Sequence, residues 1–256
     1  PPVDLLVTSN PGPKTWTEFF AGDHAIYVNA RHLQVHYERQ ARDLLRLLAG
    51  RVRPRLLDFG CGDALAAPDL AAAGAKVWLY DAAPGVRERL SRRYVGTPGI
   101  VVLGEGDWEA LRGGDFDVVL VNSVLQYLER AGTEALVVRL AGLLAPGGEL
   151  VLADVVPPGF GLVADLRALL VPAARHGYLG PALLGLGRTF FSAYRGLRHT
   201  AGFSTWSEPE VRELARRHGL QAERLPFNVG FNTRRMTFRL GAGPVGTAPA
   251  GTRTLS

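Results

Sequence analysis

The chain is short of the residues that cross-link, bind soft metals or anchor in bilayers. Of its 256 residues one is cysteine, Cys61, and one is methionine, which excludes an internal disulfide and a cysteine-rich metal centre and makes a reducing, cytoplasmic setting the expectation. Lysine is nearly absent: Lys14 and Lys76 stand alone, so arginine carries the cationic side of a +5 net charge. No uninterrupted apolar stretch has the length of a bilayer span, and the first residues lack a signal-like pattern. They also lack an initiating Met, which leads us to expect native residues ahead of Pro1. There is no internal repeat.

What is present is a hydrophobic content of 47%, enough for a sizeable core, distributed as short apolar runs that alternate with helical patterns. That alternation predicts an α/β fold with a doubly wound, mostly parallel seven-stranded sheet. The most informative segment is Leu56-Leu57-Asp58-Phe59-Gly60-Cys61-Gly62-Asp63-Ala64, an apolar strand running into a glycine turn and then into a helix over 65–73. Two glycines let a backbone approach a ligand, and the opening helix offers unpaired N–H groups. A dinucleotide site would need a third small residue at position 65, where Leu65 stands. Asp58, two places before the first glycine, would crowd a pyrophosphate with like charge and suits a positively charged cofactor instead.

The acids that follow are spaced for a nucleoside. The run Lys76-Val77-Trp78-Leu79-Tyr80 ends in Asp81, roughly 20 residues after the glycines, where a carboxylate can accept both ribose hydroxyls. A third run, 100–103, leads to Glu105-Gly106-Asp107-Trp108, in which a carboxylate can take an adenine amino group and an indole can pack on the ring. A fourth run, 116–121, leads to Asn122-Ser123-Val124-Leu125-Gln126. A helix is expected over 133–144, then Ala145-Pro146-Gly147-Gly148 and a fifth strand over 149–153.

In this order the motifs resemble those of the class I S-adenosylmethionine-dependent methyltransferases over residues 55–155, which are the expected cofactor-binding core. The resemblance rests on Leu57-Asp58-Phe59-Gly60-Cys61-Gly62, Tyr80-Asp81, Gly106-Asp107-Trp108, Phe116-Asp117-Val118-Val119 and Leu143-Leu144-Ala145-Pro146-Gly147-Gly148. It implies S-adenosyl-L-methionine as cofactor. By it the glycine turn, Gly60, Cys61 and Gly62, packs under the methionine part, Asp81 holds the ribose, and Asp107 with Trp108 holds adenine. Asp58, Ala82, Asn122 and Ser123 complete the expected cofactor-binding set.

Around this core the resemblance implies a single domain over 16–240, flanked by flexible tails over 1–15 and 241–256. An N-terminal lid is expected over 16–50, helical over 35–48, with Tyr27, Arg31, His32, His36 and Tyr37 as candidates to face the acceptor. His32 and His36 share a helical face if the helix extends back to them; no third ligand accompanies them, so no metal is expected, and one of them is the candidate general base. A helical substrate cap is expected over 159–205, rich in leucine, phenylalanine and arginine and carrying His176, followed by a helix and strands over 206–240. Gln126 and Asp154, after the fourth strand and at the tip of the fifth, join the acceptor-side candidates. Ser207-Glu208-Pro209-Glu210 reads as a capping box for a helix ending at Gly219, and 234–240 as the last strand.

Residues 159–240 hold 12 Arg, no Lys and five acids, a net of +7, so the rest of the chain is slightly acidic. Such a surplus draws an anionic substrate, an anionic or membrane surface, or RNA. With its sole cysteine in the glycine turn, the chain lacks the nucleophile of enzymes that methylate pyrimidine carbon 5. Asn122-Ser123-Val124-Leu125 also departs from the Pro-Pro-aromatic pattern of exocyclic-amine methyltransferases. The function this favours is methyl transfer to a small hydrophobic or aromatic molecule, with no obligatory nucleic acid. The rival readings are an RNA methyltransferase, a noncatalytic cofactor-binding subunit and, further off, an NAD-dependent oxidoreductase. The sequence carries no sign of oligomeric state.

Overall fold

A computed structural model describes residues 30–159 and 204–242. Most of both expected tails, the first half of the expected lid and nearly all of the expected cap, with Tyr27 and His176, lie outside the described residues.

Seven strands form one sheet in the order β3-β2-β1-β4-β5-β7-β6. Strands β1 (Arg55–Phe59), β2 (Lys76–Tyr80), β3 (Ile100–Val102), β4 (Phe116–Asn122) and β5 (Leu144–Val155) run parallel, and β7 (Met236–Ala242) lies antiparallel between β5 and β6 (Leu220–Arg224). The central strands read as continuous apolar runs because both faces are covered. Leu57, Phe59, Val119, Val121, Leu150 and Leu152 join one core with helices α5 (Arg130–Ala141) and α6 (Glu208–Arg217). Their alternating neighbours Leu56, Val118, Leu120, Val151 and Ala153 join a second core with α1 (Ala30–Leu48), α2 (Ala67–Ala72) and α3 (Pro84–Tyr94). The chain order turns outward in opposite directions from β1 and β4, which opens a crevice at their carboxyl ends.

Helix α1 begins before the expected 35, so His32 and His36 do occupy one helix. From Val35 onward it is a packing element: Val35, Ala41, Leu44, Leu47 and Leu48 are buried. Asp43, ion-paired with Arg39, accepts the Gly230 N–H at 3.0 Å, and the Arg46 guanidinium sits 4.2 Å from the centre of the Phe227 ring. Residues 35–48 thus pack on the sheet and are tied to the β6–β7 loop.

Two expected boundaries shift. The helix expected over 133–144 is α5, which ends at Ala141, and β5 starts at Leu144, five residues before the expected 149. The Ala145-Pro146-Gly147-Gly148 turn is absorbed into a bulged entry to the strand, where pairing with β4 slips between Phe116 and Val118. A Cβ on Gly148 would meet the Phe116 carbonyl oxygen at 2.7 Å, so only glycine fits there. Gly241 and Ala242, expected to open the C-terminal tail, instead pair with Glu149 and Leu220 at the end of β7.

The capping box of α6 forms as expected. The Glu210 carboxylate accepts the Ser207 N–H at 2.7 Å, the Ser207 hydroxyl accepts the Glu210 N–H, and the helix stops at Gly219 with a φ of +71°. Replacing Ser207 by alanine is expected to cost about 1 kcal/mol of stability, read as a lower urea midpoint with an unchanged slope.

Candidate cofactor site

The glycine turn closes over the end of β2. The Gly60 and Cys61 N–H groups both donate to the Tyr80 carbonyl, at 2.8 and 3.2 Å. Gly60 and Gly62 have φ values of +72° and +56°, a region that glycine alone enters at no steric cost. The two serve different ends. A Cβ on Gly60 would strike Val124 Cγ2 at 2.5 Å, whereas one on Gly62 would meet nothing within 4 Å, so Gly60 permits packing on the end of β4 and Gly62 borders open space. Between them, burial and the carboxylates of Asp58 and Asp81 push the Cys61 thiol well up, which keeps it protonated and poorly nucleophilic.

Asp81 ties the turn to the next helix. Its Oδ2 accepts the Gly62 N–H at 3.0 Å and its Oδ1 the Ala83 N–H at 2.9 Å, so each oxygen keeps a lone pair for a further donor. Burial raises its pKa against the pull of those N–H groups and of Arg87. Arg87, on α3, donates to the carbonyls of Asp81 and Ala82 at 2.7 and 2.9 Å.

Asp58 is buried and its carboxyl group has no hydrogen bond among the described residues; burial first and Asp81 second push its pKa up to about 7. On the neighbouring strand, Asn122 ends β4 with a buried Oδ1 that no donor reaches. Asp58 pairs with Leu120 in register, so Asn122 lies two residues further along, level with Gly60 and on the same sheet face as Asp58. An acceptor without a donor and a carboxylate without a cation therefore flank the turn.

The adenine-side candidates have partners of their own. Asp107 Oδ2 accepts the Gly104 N–H at 2.9 Å and caps the short helix α4 (Glu105–Ala110), leaving its other oxygen unbonded among the described residues. The Trp108 ring stacks on Tyr80, with centroids 4.8 Å apart, and packs on Phe59 at 5.0 Å. The Arg139 guanidinium lies 5.2 Å from its centre. The indole expected to lie on a ligand ring is thus engaged by the protein core.

On the other side of the crevice, Ser123 and Asp154 end β4 and β5 with left-handed φ values of +58° and +59°, strained for non-glycine residues. Their side chains are bonded to each other at 2.6 Å. Asp154 also accepts from Arg235 and, at 3.0 Å, from the Asn228 amide. With its oxygens so occupied, Asp154 ties the tip of β5 to β4 and to the β6–β7 loop. Gln126 is buried in the 3₁₀ turn Leu125–Tyr127. The His36 ring makes an edge contact with Tyr37 at 5.3 Å and approaches Phe231 of the β6–β7 loop at 6.4 Å. That loop also supplies Asn228 and Arg235, the partners of Asp154. Arg31 and His32 are placed by their backbone in the first turn of α1. Sequence reasoning missed Arg87, Asn228 and Arg235; only Arg87 left a trace, as a cation closely following the Asp81 acid.

The model of a family described as a methyltransferase domain matches residues 30–225, most of the chain. The chain belongs to the methyltransferase family. This methyltransferase is 33% identical over 103 residues to proteins of Mycobacterium tuberculosis and Mycobacterium bovis described as uncharacterized methyltransferases, covering 40% of this chain; the match spans about half of their length, 51%. Its fold is shared with the magnesium protoporphyrin IX methyltransferase of Synechocystis with bound S-adenosylhomocysteine (TM-score 0.56, 18% identity, 88% of this chain and 92% of that one). It is shared also with an O-methyltransferase family protein of Burkholderia thailandensis (TM-score 0.54, 16% identity, 90% and 63%). A third likeness is to a Haloferax volcanii putative methyltransferase in complex with the Trm112 activator (TM-score 0.53, 16% identity, 83% and 91%).

Asp58 makes the stability of this methyltransferase depend on pH. In the folded chain it keeps its proton up to about pH 7, and unfolded it releases the proton near its ordinary value of 3.8. Between these the folded state binds more protons, so stability falls as pH rises through the window, by on the order of 4 kcal/mol when ionisation is complete. Asp58→Asn cannot ionise. Urea melts are expected to show the variant more stable than the parent at about pH 8 and the two converging toward about pH 4.

Proposed function

We propose that this chain transfers the methyl group of S-adenosylmethionine to a small, hydrophobic or aromatic acceptor. The single observation that carries the cofactor is the chemistry at the crevice: a buried Asp58 carboxyl group, unpaired among the described residues, and an unsatisfied Asn122 oxygen flank a glycine turn, beside an Asp81 whose two oxygens each have one lone pair to spare. These residues fit the group. Asp58 and Asn122 would receive the cationic amino-acid half, Gly62 leaves room for it, and Asp81 would accept the ribose hydroxyls, with Ala82 beside it and Asp107 available to the base. A dinucleotide would set its pyrophosphate against Asp58.

When bound, the cofactor supplies an electrophilic methyl on a sulfonium. The protein's part is to align an acceptor atom in line with it and to keep water out. Ser123, Gln126 and the Asp154–Arg235 pair stand at the carboxyl ends of β4 and β5, where the acceptor would lie. Where the acceptor must lose a proton, we assign the base to His36, with His32 one turn earlier on α1; an imidazole titrates in the right range. The fold likeness to a porphyrin methyltransferase and to an O-methyltransferase family protein supports a small-molecule acceptor. The RNA reading loses support from the described arginines of the basic third. Arg212 and Arg224 pair with Glu208, Arg216 with Glu213, Arg217 with Glu134, Arg235 with Asp154 and Arg239 with Glu149. Among the described residues no helix is long and apolar enough to cross a membrane.

Calorimetric titration tests the cofactor. Saturable binding of S-adenosylmethionine and S-adenosylhomocysteine is expected, with none for NAD, and Asp81→Ala is expected to weaken it at least tenfold by removing two charge-assisted hydrogen bonds. Affinity should rise with pH up to about 7 as Asp58 ionises beside the cationic ligand, and Asp58→Asn should flatten that rise. Binding of NAD with none of the sulfur nucleosides would overturn the reading.

A further inference from the structure

Arg87 is a heavily engaged side chain near the crevice that no cofactor-binding role yet includes. From α3 it reaches back to the Asp81 and Ala82 carbonyls at 2.7 and 2.9 Å and forward to Glu105 at 2.7 Å. Glu105 opens α4, just after β3, and also accepts the Tyr80 hydroxyl at 3.1 Å. The guanidinium lies 5.5 Å from the Tyr80 ring centre, and the side chain is 14% exposed. One partly buried cation therefore spans the carboxyl ends of β2 and β3, the two sides of the nucleoside half of the crevice.

Exposed ion pairs contribute little, but this contact is different in kind. Two of its acceptors are backbone carbonyls of the residue that carries the ribose-directed carboxylate and of the residue after it. Holding those carbonyls fixes the Asp81 peptide, and with it the direction of both carboxylate oxygens. Such a planar, five-donor group is not replaced by lysine, which offers a point charge without the fork. We propose that Arg87 is a positioning residue for the nucleoside half of the cofactor, presenting Asp81 as a preformed double acceptor and fixing the gap between the ends of β2 and β3. This rests on the cofactor reading above.

The position also has an electrostatic consequence. The charged and titratable groups that act on Asp81 are Asp58 from β1, the Cys61 thiol of the glycine turn, and Arg87 and Arg89 of α3; Tyr80 and Glu105 lie beyond Arg87. Burial raises the Asp81 pKa and Arg87 lowers it. Without Arg87 the carboxylate would take up its proton at a higher pH and lose an acceptor.

The test compares two probes, S-adenosylhomocysteine and 5′-methylthioadenosine, which share the nucleoside and differ in the amino-acid half. Arg87→Gln is expected to weaken both about tenfold and to move upward the pH below which binding is lost. Arg87→Lys should keep that pH near the parent's while recovering only part of the affinity, and it covers the case in which the glutamine variant does not fold. Asp58→Asn should weaken S-adenosylhomocysteine alone. Folded Arg87 variants that bind both probes like the parent, with an unmoved pH profile, would overturn the positioning role. A parent that binds neither probe would overturn the cofactor reading itself, and the role of Arg87 with it.

Discussion

Two carboxylates, a buried Asp58 and a half-buried Asp81, lie at the ends of adjacent parallel strands, and the local architecture answers to the cost of desolvating them. A buried charge is expensive unless hydrogen-bonded or paired. Asp81 meets the requirement from within the chain, through the N–H groups of Gly62 and Ala83 and the neighbouring Arg87. Asp58 does not, and its pKa climbs to about 7. The fold therefore retains one satisfied acid and one unsatisfied acid side by side. A cationic ligand would resolve the second.

The glycines, the strand ends and the sheet order serve the same arrangement. Gly62 can donate to Asp81 because its φ is positive, and Gly60 can sit against Val124 because it has no Cβ. The parallel register of β1 with β2 and β4 brings Asp81 and Asn122 level with the glycine turn. The antiparallel β7 delivers Arg235 to the tip of β5, where it fixes Asp154 and through it the strained Ser123. The wall made by α1 closes one flank through Asp43 and Gly230.

Where sequence reading succeeded, a local signal sufficed. Strands buried on both faces are continuous apolar runs, the Ser207–Glu210 box is a contiguous pattern, and the Gly-x-Gly turn followed at a set distance by an acid is a one-dimensional record of a strand-turn-helix-strand unit. It was silent on interactions between residues far apart along the chain. The indole of Trp108, expected beside a ligand ring, also stacks on Tyr80, because an amphipathic ring in a half-buried position takes an aromatic partner from the neighbouring strand. Asp154 had the look of a free acid, yet Arg235, 81 residues later, occupies it. The turn 145–148 belongs to β5 because a bulge against Phe116 absorbs it.

By itself the sequence determined the order of strands and helices, the glycine turn, the acid at Asp81 and hence the class of ligand this crevice suits, because each is written in residues close together along the chain. Tertiary structure alone decided which of those acids is satisfied and which is left wanting. It also decided that residues 35–48 pack against the β6–β7 loop, that Arg87 holds the Asp81 and Ala82 carbonyls, and that Arg235 and Asn228 meet Asp154. The physical reason is that a hydrogen bond or ion pair is set by which elements meet in space, and the separations between Arg87 and Glu105 or Arg235 and Asp154 leave no periodic trace in the sequence.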